Sequence, residues 1–422
     1  MKPKRTVLDN GLRVITAPMK GNPTVTALVL VEVGSHYENK SENGISHFLE
    51  HMCFKGTKRR PSASVISHEL DALGAESNAF TWYEFTGYYA KSRAGNFEKL
   101  FDVIADVYQN SIISAPELEK EKGVIIEEIR MYEDLPMRSV AHLLDKVLYG
   151  DQPAGRSVLG TESIIRGMRR DAFIAYRDAH YVPNKTTVIV AGDITHRDVV
   201  REARRHFASL KRGKTLKKTP VAENQRKPNV GVKYKSSSQT HFQLGFRSIP
   251  AGHKSIPIVE VLGAVLGQGM SSRLFHKLRE ELGVCYYVRA NTEYHSDHGK
   301  FIIASGVDTK RSDEVITVIL EELKRLKEEP VASKELRKAK EYLIGNMLMQ
   351  LESTDAVAEY YGIQEILRTK SKMPREFAQD VRKVTPSDVQ VMAKQLFVNR
   401  NTNLAVIGPF KNSARFKRII RL

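Results

Sequence analysis

Hydrophobic positions in the first part of the chain follow two different periods, which together predict a mixture of strands and helices. Residues 24–33 are rich in β-branched side chains and predict a strand. Residues 44–54 and 64–73 have the spacing of helices. Aromatic residues recur in alternation across residues 77–89, which predicts a strand or a hairpin. Because strands and helices do not alternate regularly, the pattern favours an α+β fold over a doubly wound sheet.

The pattern continues with two long helices, predicted at residues 97–111 and 115–132. Near the N-terminus, Asn10 and Gly11 interrupt the apolar positions. This Asn-Gly pair predicts a turn between two strands, whereas a signal peptide would need a continuous apolar segment there. No run of about 18 or more apolar residues occurs, so we expect no transmembrane helix.

Segments in the two halves of the chain resemble each other at a nearly constant offset. YVPNKTTVIVAG begins at Tyr181 and FVNRNTNLAVIG begins at Phe397, an offset of 216 residues. SAPELEKEK begins at Ser114 and ASKELRKAK begins at Ala332, an offset of 218 residues. Nearly equal offsets indicate one duplicated unit, so we predict two similar halves, each with mixed α and β structure.

A strongly basic segment lies near the midpoint of the chain. Residues 211–235 carry nine Lys or Arg residues and one acid, Glu223, and show neither helical nor strand periodicity. This composition is typical of a solvated linker, which we place at residues 213–230. An N-terminal domain is then predicted at residues 1–212 and a C-terminal domain at residues 231–422.

Composition narrows the class of protein. The 422 residues are 41% hydrophobic and 27% charged, which suits a globular chain with more than one core. The two cysteines, Cys53 and Cys285, do not make a disulfide framework and are typical of a reducing compartment. The net charge of +17 would suit an acidic partner, but part of the excess lies in the linker and no nucleic-acid-binding motif occurs.

The clearest chemical signal lies in GISHFLEHMCF, within the first predicted helix. His47 and His51 are four residues apart, so a helix places both imidazoles on one face, where they can bind one ion. Imidazole nitrogen suits Zn²⁺, and Glu50 can reach a water on that ion as a general base. The order reverses His-Glu-x-x-His but keeps the same groups. The alternative is a pair of helix histidines held by ordinary neighbours.

A catalytic zinc needs a third protein ligand, which the acidic segment EKEKGVIIEEIRMYED can supply. Glu121 and Glu128 are seven residues apart and share one helix face across two turns. One of them can bind the metal while the other orients a ligand from behind. Spacing alone leaves the choice open among Glu121, Glu127, Glu128 and Glu133, and such a charged run is usually a solvated helix face.

The motifs together resemble the M16 (pitrilysin, or insulinase-like) zinc peptidase family. They are most similar to the branch that contains the β subunit of mitochondrial processing peptidase and its bacterial relatives. The similar segments include HFLEHMCFKGT and a glutamate of VIIEE placed 76 intervening residues after His51. The resemblance implies one zinc ion per chain, with Glu128 as the third ligand and Glu121 as the supporting acid.

The resemblance extends to segments that would contact substrate. GAESNAFTWYEFTGYYAK is similar to the family's active-site edge strand, which implies that Asn78, Ala79 and Phe80 bind the backbone of an extended peptide. LREELGVCYYV is similar to a segment whose Arg and Tyr, here Arg279 and Tyr286, contact substrate near the scissile carbonyl. The second half lacks the His-x-x-Glu-His motif, so we predict one active half and one degenerate half.

We therefore predict a zinc-dependent endopeptidase that hydrolyses unfolded or extended peptides, with Glu50 as general base and a zinc-bound water as nucleophile. Because one chain holds both the zinc motif and the Arg279–Tyr286 pair, we expect a homodimer. Its expected location is the bacterial cytoplasm, or the mitochondrial matrix for a mature organellar chain. The alternatives are a non-catalytic subunit of the same fold and a basic protein that binds nucleic acid or a membrane surface.

Overall fold

The computed structural model describes residues 2–420, which form two compact units. Neither unit is continuous in sequence, because each includes a segment from the opposite half of the chain. Unit 1 comprises Met1–Arg130, Ser157–Thr219 and Gln350–Ser371, and unit 2 comprises Met131–Arg156, Pro220–Met349 and Lys372–Leu422.

The strands of the described residues form one sheet in each unit. Each sheet is mixed, with one parallel pair of strands and otherwise antiparallel pairs. The strands are β1 (Lys4–Val7), β2 (Arg13–Pro18), β3 (Thr24–Val31), β4 (Glu76–Thr81), β5 (Thr86–Arg93), β6 (Thr186–Gly192), β7 (Asn229–Tyr234), β8 (Gln239–Ser248), β9 (Cys285–Tyr294), β10 (Gly299–Asp308) and β11 (Thr402–Gly408).

Helices pack against the sheets and carry most of the candidate site. One of them, α10, continues into a π-helical segment at His276–Glu281. The helices are α1 (Ile45–Cys53), α2 (Ala63–Ala72), α3 (Phe97–Asn110), α4 (Ala115–Asp134), α5 (Pro136–Tyr149), α6 (Glu162–Gly167), α7 (Arg170–His180), α8 (His196–Phe207), α9 (Ile256–Gly267), α10 (Arg273–Phe275), α11 (Ser312–Glu328), α12 (Ser333–Gln350), α13 (Thr354–Ile366), α14 (Pro374–Lys383), α15 (Pro386–Leu396) and α16 (Ala414–Ile419).

The sheet of unit 1 has the strand order β1-β2-β6-β3-β5-β4, so β4 lies at an edge. Its central strand β3 is buried along almost its whole length, which fits a sequence of mostly apolar and β-branched residues on both faces rather than an apolar–polar alternation. Helix α3 packs against β3 and β5. Helix α13 packs against the sheet through Ala358 and Tyr361, which share a buried cluster with Leu28, Leu30 and Ile189.

The sheet of unit 2 has the strand order β7-β11-β8-β10-β9. Helix α5 contributes Val140, Leu144 and Leu148 to a buried cluster with Ala405 and Ile407 of β11. A larger cluster combines the sheet with α9, α11 and α15. The sheet of unit 2 therefore has its own apolar core, as the sheet of unit 1 does.

The two units exchange one helix each. Helix α5 comes from the first half of the sequence but packs in unit 2, whereas α13 comes from the second half but packs in unit 1. Their first residues, Pro136 and Thr354, are separated by the same 218-residue offset as the sequence repeat. The exchanged helices are therefore equivalent elements of the duplicated unit. The predicted linker at residues 213–230, with one continuous domain on either side, stays a prediction. Within these residues the chain passes from unit 1 to unit 2 between Thr219 and Pro220.

Most predicted elements occur in the structure, and the α+β class is confirmed. Strands β1 and β2 pair antiparallel around the Asn10–Gly11 turn, where Gly11 has a φ of 91°. We expected no strand across residues 211–235. This expectation is wrong for the last part of the segment, where β7 pairs with β11. Val230, Val232 and Tyr234 alternate along β7, so the sequence did carry a short strand signal there, although the strand is a largely exposed edge. Among the described residues, no helix combines the length and apolar content needed to cross a membrane.

Candidate metal centre

Helix α1 carries three of the predicted site residues. It begins after Gly44, whose φ is 98° and whose position leaves no room for a side chain, because an added Cβ would lie 2.7 Å from the carbonyl oxygen of Leu159. On the buried side of the helix, Phe48 packs edge-on against Phe173 with ring centroids 4.8 Å apart. These contacts fix the rotation of α1, and therefore the face on which its polar residues lie.

The side chains of His47 and His51 meet Glu128 of α4 at one point. His47 Nε2 lies 3.6 Å from Glu128 Oε2, and His51 Nε2 lies 3.7 Å from the same oxygen. The three ligand atoms all lie within 4.8 Å of one another. These separations exceed hydrogen-bond lengths but approach the ~3.4 Å between ligand atoms around a tetrahedral zinc with bonds of about 2.0–2.1 Å. The arrangement therefore fits one zinc ion.

Glu121 lies behind His51 instead of joining this group. His51 Nδ1 donates a hydrogen bond of 2.9 Å to Glu121 Oε1, and Lys55 Nζ lies 2.5 Å from Glu121 Oε2. A proton held on Nδ1 leaves the lone pair on Nε2, the nitrogen that faces Glu128. The structure thus separates the two glutamates that spacing left equivalent. The other two acids are more exposed, with Glu127 beside Arg130 and Glu133 beside Lys233.

The protonation tendency of His47 suits a cation, whereas the carboxylates around His51 favour its protonated form. Burial, together with the charge of His51, lowers the pKa of His47 to about 3, so His47 is neutral and has a lone pair to donate. Burial alone would lower the pKa of His51, but its hydrogen bond to Glu121 and the charges of nearby carboxylates raise it. His47 Nδ1 is buried and has no hydrogen-bond partner among the described residues. An ion would balance the negative charge of Glu128 and give His47 Nε2 a partner.

Glu50 lies on the same helix but makes a different contact. Its side chain is 8% exposed, and Thr81 Oγ1 of β4 donates a hydrogen bond of 2.6 Å to Glu50 Oε2. Burial raises the pKa of Glu50 to about 7, although the hydrogen bond from Thr81 and the charge of His51 oppose the rise. A carboxyl group with such a pKa can both accept and release a proton near neutral pH.

The predicted substrate-binding residues Asn78, Ala79 and Phe80 lie on β4. This strand pairs with β5 on one side, and its other side has no strand partner among the described residues. Asn78 is exposed, while Phe80 packs over Gly87, where an added Cβ would lie 2.4 Å from the Phe80 ring. The outer backbone edge of β4 is therefore an unpaired sheet edge among the described residues, and its role in binding an extended peptide stays a prediction.

Arg279 and Tyr286 belong to unit 2 and lie next to each other there. Arg279 lies in the π-helical segment and its Nη1 donates a hydrogen bond of 2.7 Å to the carbonyl oxygen of Cys285. The adjacent Tyr286 on β9 is 58% exposed. An exposed tyrosine beside an arginine that is held by a backbone carbonyl fits a role in binding. That role stays a prediction.

Three residues at or near the site were not predicted from the sequence. They are Lys55, which pairs with Glu121; Thr81, which donates to Glu50; and Glu38, which binds the start of α1. Lys55 had a weak signal, since it lies four residues after His51 and extends the same helical face. Nothing in the sequence marked Glu38, because its importance comes from burial and from contacts made by backbone groups.

Comparisons with known proteins find relatives over almost the whole chain. A family model described as Insulinase (Peptidase family M16) matches residues 13–162, and one described as Peptidase M16 inactive domain matches residues 167–343. The chain is 35% identical to "Uncharacterized zinc protease YmxG" of Bacillus subtilis, over 97% of this chain and 99% of that protein. It is 32% identical to "Uncharacterized zinc protease SCO5738" of Streptomyces coelicolor, over 97% and 90% of the two chains. A crystal structure of a protease from Helicobacter pylori shares the fold with a TM-score of 0.90, at 23% identity over 97% and 99% of the chains.

Proposed function

The chain belongs to the insulinase (M16) peptidase family, and from this premise we propose that it is a zinc-dependent endopeptidase. The observation that carries the proposal is the convergence of His47, His51 and Glu128, whose ligand atoms lie within 4.8 Å of one another and whose two Nε2 atoms lie 3.6 and 3.7 Å from Glu128 Oε2. Glu50 lies buried beside them on the same helix. These are the groups that a catalytic zinc site requires, with three protein ligands and a nearby general base.

His47, His51 and Glu128 would hold a zinc ion, which when bound would supply a Lewis acid able to lower the pKa of a water molecule to about 7 and to polarise the scissile carbonyl. Glu50 then acts as the base. Thr81 engages Glu50 Oε2, so Oε1 is the oxygen that accepts the proton of the attacking water and returns it to the leaving nitrogen. Glu121 and Lys55 keep the Nδ1 proton on His51 throughout.

The proposed substrate is an unfolded or extended peptide. Such a peptide adds to the open edge of β4 along Asn78, Ala79 and Phe80, by backbone hydrogen bonds that depend little on sequence. Arg279 and Tyr286 are proposed to contact the substrate near the scissile carbonyl, in line with the family resemblance. A homodimer and one zinc ion per chain complete the proposal.

The test is to measure bound zinc and cleavage of a mixed set of unfolded peptides by the wild type and three variants. Glu50→Gln should keep zinc and lower turnover by about 10²- to 10⁴-fold, because only the base is lost. His51→Ala should lose both zinc and turnover. Glu127→Gln is the matched control, because Glu127 is an exposed neighbour of Glu128 on α4 and should behave as wild type. A wild type that binds no zinc, or a Glu50→Gln variant with intact turnover, would contradict the proposal.

A further inference from the structure

Glu38 is a buried acid outside the set of proposed zinc ligands. It follows a short 3-10 turn before α1, and its side chain is 3% exposed. Its carboxylate accepts hydrogen bonds from the segment that starts the helix. Oε2 accepts from the backbone N–H of Gly44 at 2.8 Å and from Asn43 Nδ2 at 2.9 Å, and Oε1 accepts from the backbone N–H of Ser46 at 2.9 Å.

This arrangement replaces a missing helix cap. The first backbone N–H groups of a helix have no partner within it, and the residue before the helix usually supplies a side-chain oxygen. Gly44 holds that position in α1 and has no side chain to offer. Glu38 supplies the oxygens from six residues earlier in the chain, and its negative charge is favourable beside the positive end of the helix. Burial raises the pKa of Glu38, while these hydrogen bonds favour its ionised form.

Two further contacts hold the same turn. The hydroxyl groups of Ser46 and Tyr176 form a hydrogen bond of 2.8 Å, and Asn43 Nδ2 also donates to the carbonyl oxygen of Ser157 at 2.9 Å. Ser46 is fully buried and directly precedes His47. Because α1 has only nine residues, the direction of both histidines depends on how its first turn is held.

We propose that Glu38 is a positioning residue of the metal site, which fixes the first turn of α1 and thereby directs the imidazoles of His47 and His51 towards Glu128. The inference rests on the proposed zinc site and adds a residue that acts on it from outside the ligand set. It implies that the site is arranged before the metal binds, so that losing the Glu38 contacts weakens zinc binding itself.

Glu38→Gln is the informative variant because it keeps the shape of the side chain. A glutamine has one acceptor oxygen, so its amide NH₂ would face the N–H of Gly44 or of Ser46, donor against donor. Glu38→Asp keeps the charge but shortens the side chain. Glu42→Gln is the control, since Glu42 lies in the same loop and accepts a hydrogen bond from Asn39.

The experiment measures the dissociation constant of zinc by competition with a chelator, together with the visible spectrum of each protein loaded with Co²⁺. We expect Glu38→Gln to bind zinc about 10- to 100-fold more weakly and to show an altered cobalt spectrum. Glu38→Asp should lie between Glu38→Gln and the wild type, and Glu42→Gln should match the wild type. Wild-type zinc affinity and an unchanged cobalt spectrum in Glu38→Gln would overturn the inference.

A measurement on the wild type keeps the inference testable if Glu38→Gln does not fold. In metal-free protein, the backbone amides of Gly44 and Ser46 should exchange with solvent far more slowly than in an unstructured peptide. Fast exchange at both amides would overturn the inference. A wild type that binds no zinc would overturn the proposed function and this inference together, whereas normal zinc binding by folded Glu38→Gln would remove this inference alone.

Discussion

Replacing Lys55 by methionine tests how the acid behind His51 is held in place. Methionine keeps an unbranched apolar side chain but removes the ammonium group that lies 2.5 Å from Glu121 Oε2. Glu121 is 4% exposed, so water cannot fully replace the lost partner. Without this ion pair the Glu121 carboxylate is held less firmly against His51 Nδ1. The ring of His51 is then less firmly oriented towards Glu128.

The expected effect is on zinc affinity more than on folding. Loss of a residue that orients a metal ligand typically weakens binding by about 10- to 100-fold, which corresponds to about 1.4–2.8 kcal/mol. The stability of the metal-free protein should fall by only about 1–2 kcal/mol, because Lys55 is partly exposed and Glu121 keeps its hydrogen bond to His51.

The assay is chelator competition for zinc, with thermal unfolding of the metal-free protein measured alongside. Lys55→Arg should restore most of the affinity, since it returns a cation to the same carboxylate. Lys58→Met is the control, because Lys58 is exposed on the following loop. If Lys55→Met binds zinc as tightly as the wild type, Glu121 is held by its other contacts and the reasoning about Lys55 is wrong.

Two further predictions concern stability. Leu144→Ala on α5 should lower the free energy of unfolding by about 2–5 kcal/mol in chemical denaturation, because Leu144 is fully buried in the cluster that α5 forms with the sheet of unit 2. A loss below about 1 kcal/mol would contradict the packing of the exchanged helix. Burial would raise the pKa of Asp102, but hydrogen bonds from Arg59 and Arg60 lower it to about 2. A lowered pKa of this carboxyl group stabilises the fold at every pH above the unfolded pKa of about 3.9, and the stabilisation is lost as the pH falls through about 2. The variant Asp102→Asn should therefore be about 1 kcal/mol less stable than the wild type at pH 7, after allowance for solvent screening. The difference should close between about pH 4 and pH 2, and a constant difference across that window would contradict the assignment.

Local features of the site could be predicted because they depend on residues close together in the chain. The four-residue spacing of His47 and His51 places two imidazoles on one face of any helix, whatever surrounds it. The Asn10–Gly11 turn and the buried strand β3 follow from turn chemistry and from a run of β-branched residues. The edge strand β7 was missed although Val230, Val232 and Tyr234 alternate along it, because this short alternation lies at the end of a strongly basic segment.

Other features required the tertiary structure. Residues Glu121 and Glu128 have equivalent spacing on α4, and only the packing of α4 against α1 places one oxygen near both imidazoles and the other acid behind His51. The contact of Lys55 with Glu121 depends on the same packing, whereas the contact of Thr81 with Glu50 depends on the packing of α1 against β4.

The sequence by itself determined the fold class, the duplication and the pair of histidines, since periodicity, repeat offset and helical spacing are properties of the chain alone. The tertiary structure decided which acid faces the histidines, how Glu38 caps α1, and which helix covers each sheet. The repeat offset identifies α5 and α13 as equivalent elements but cannot tell which sheet each one covers. That choice is made by burial of apolar faces between segments far apart in sequence, and helical periodicity marks an apolar face without identifying the surface that it covers.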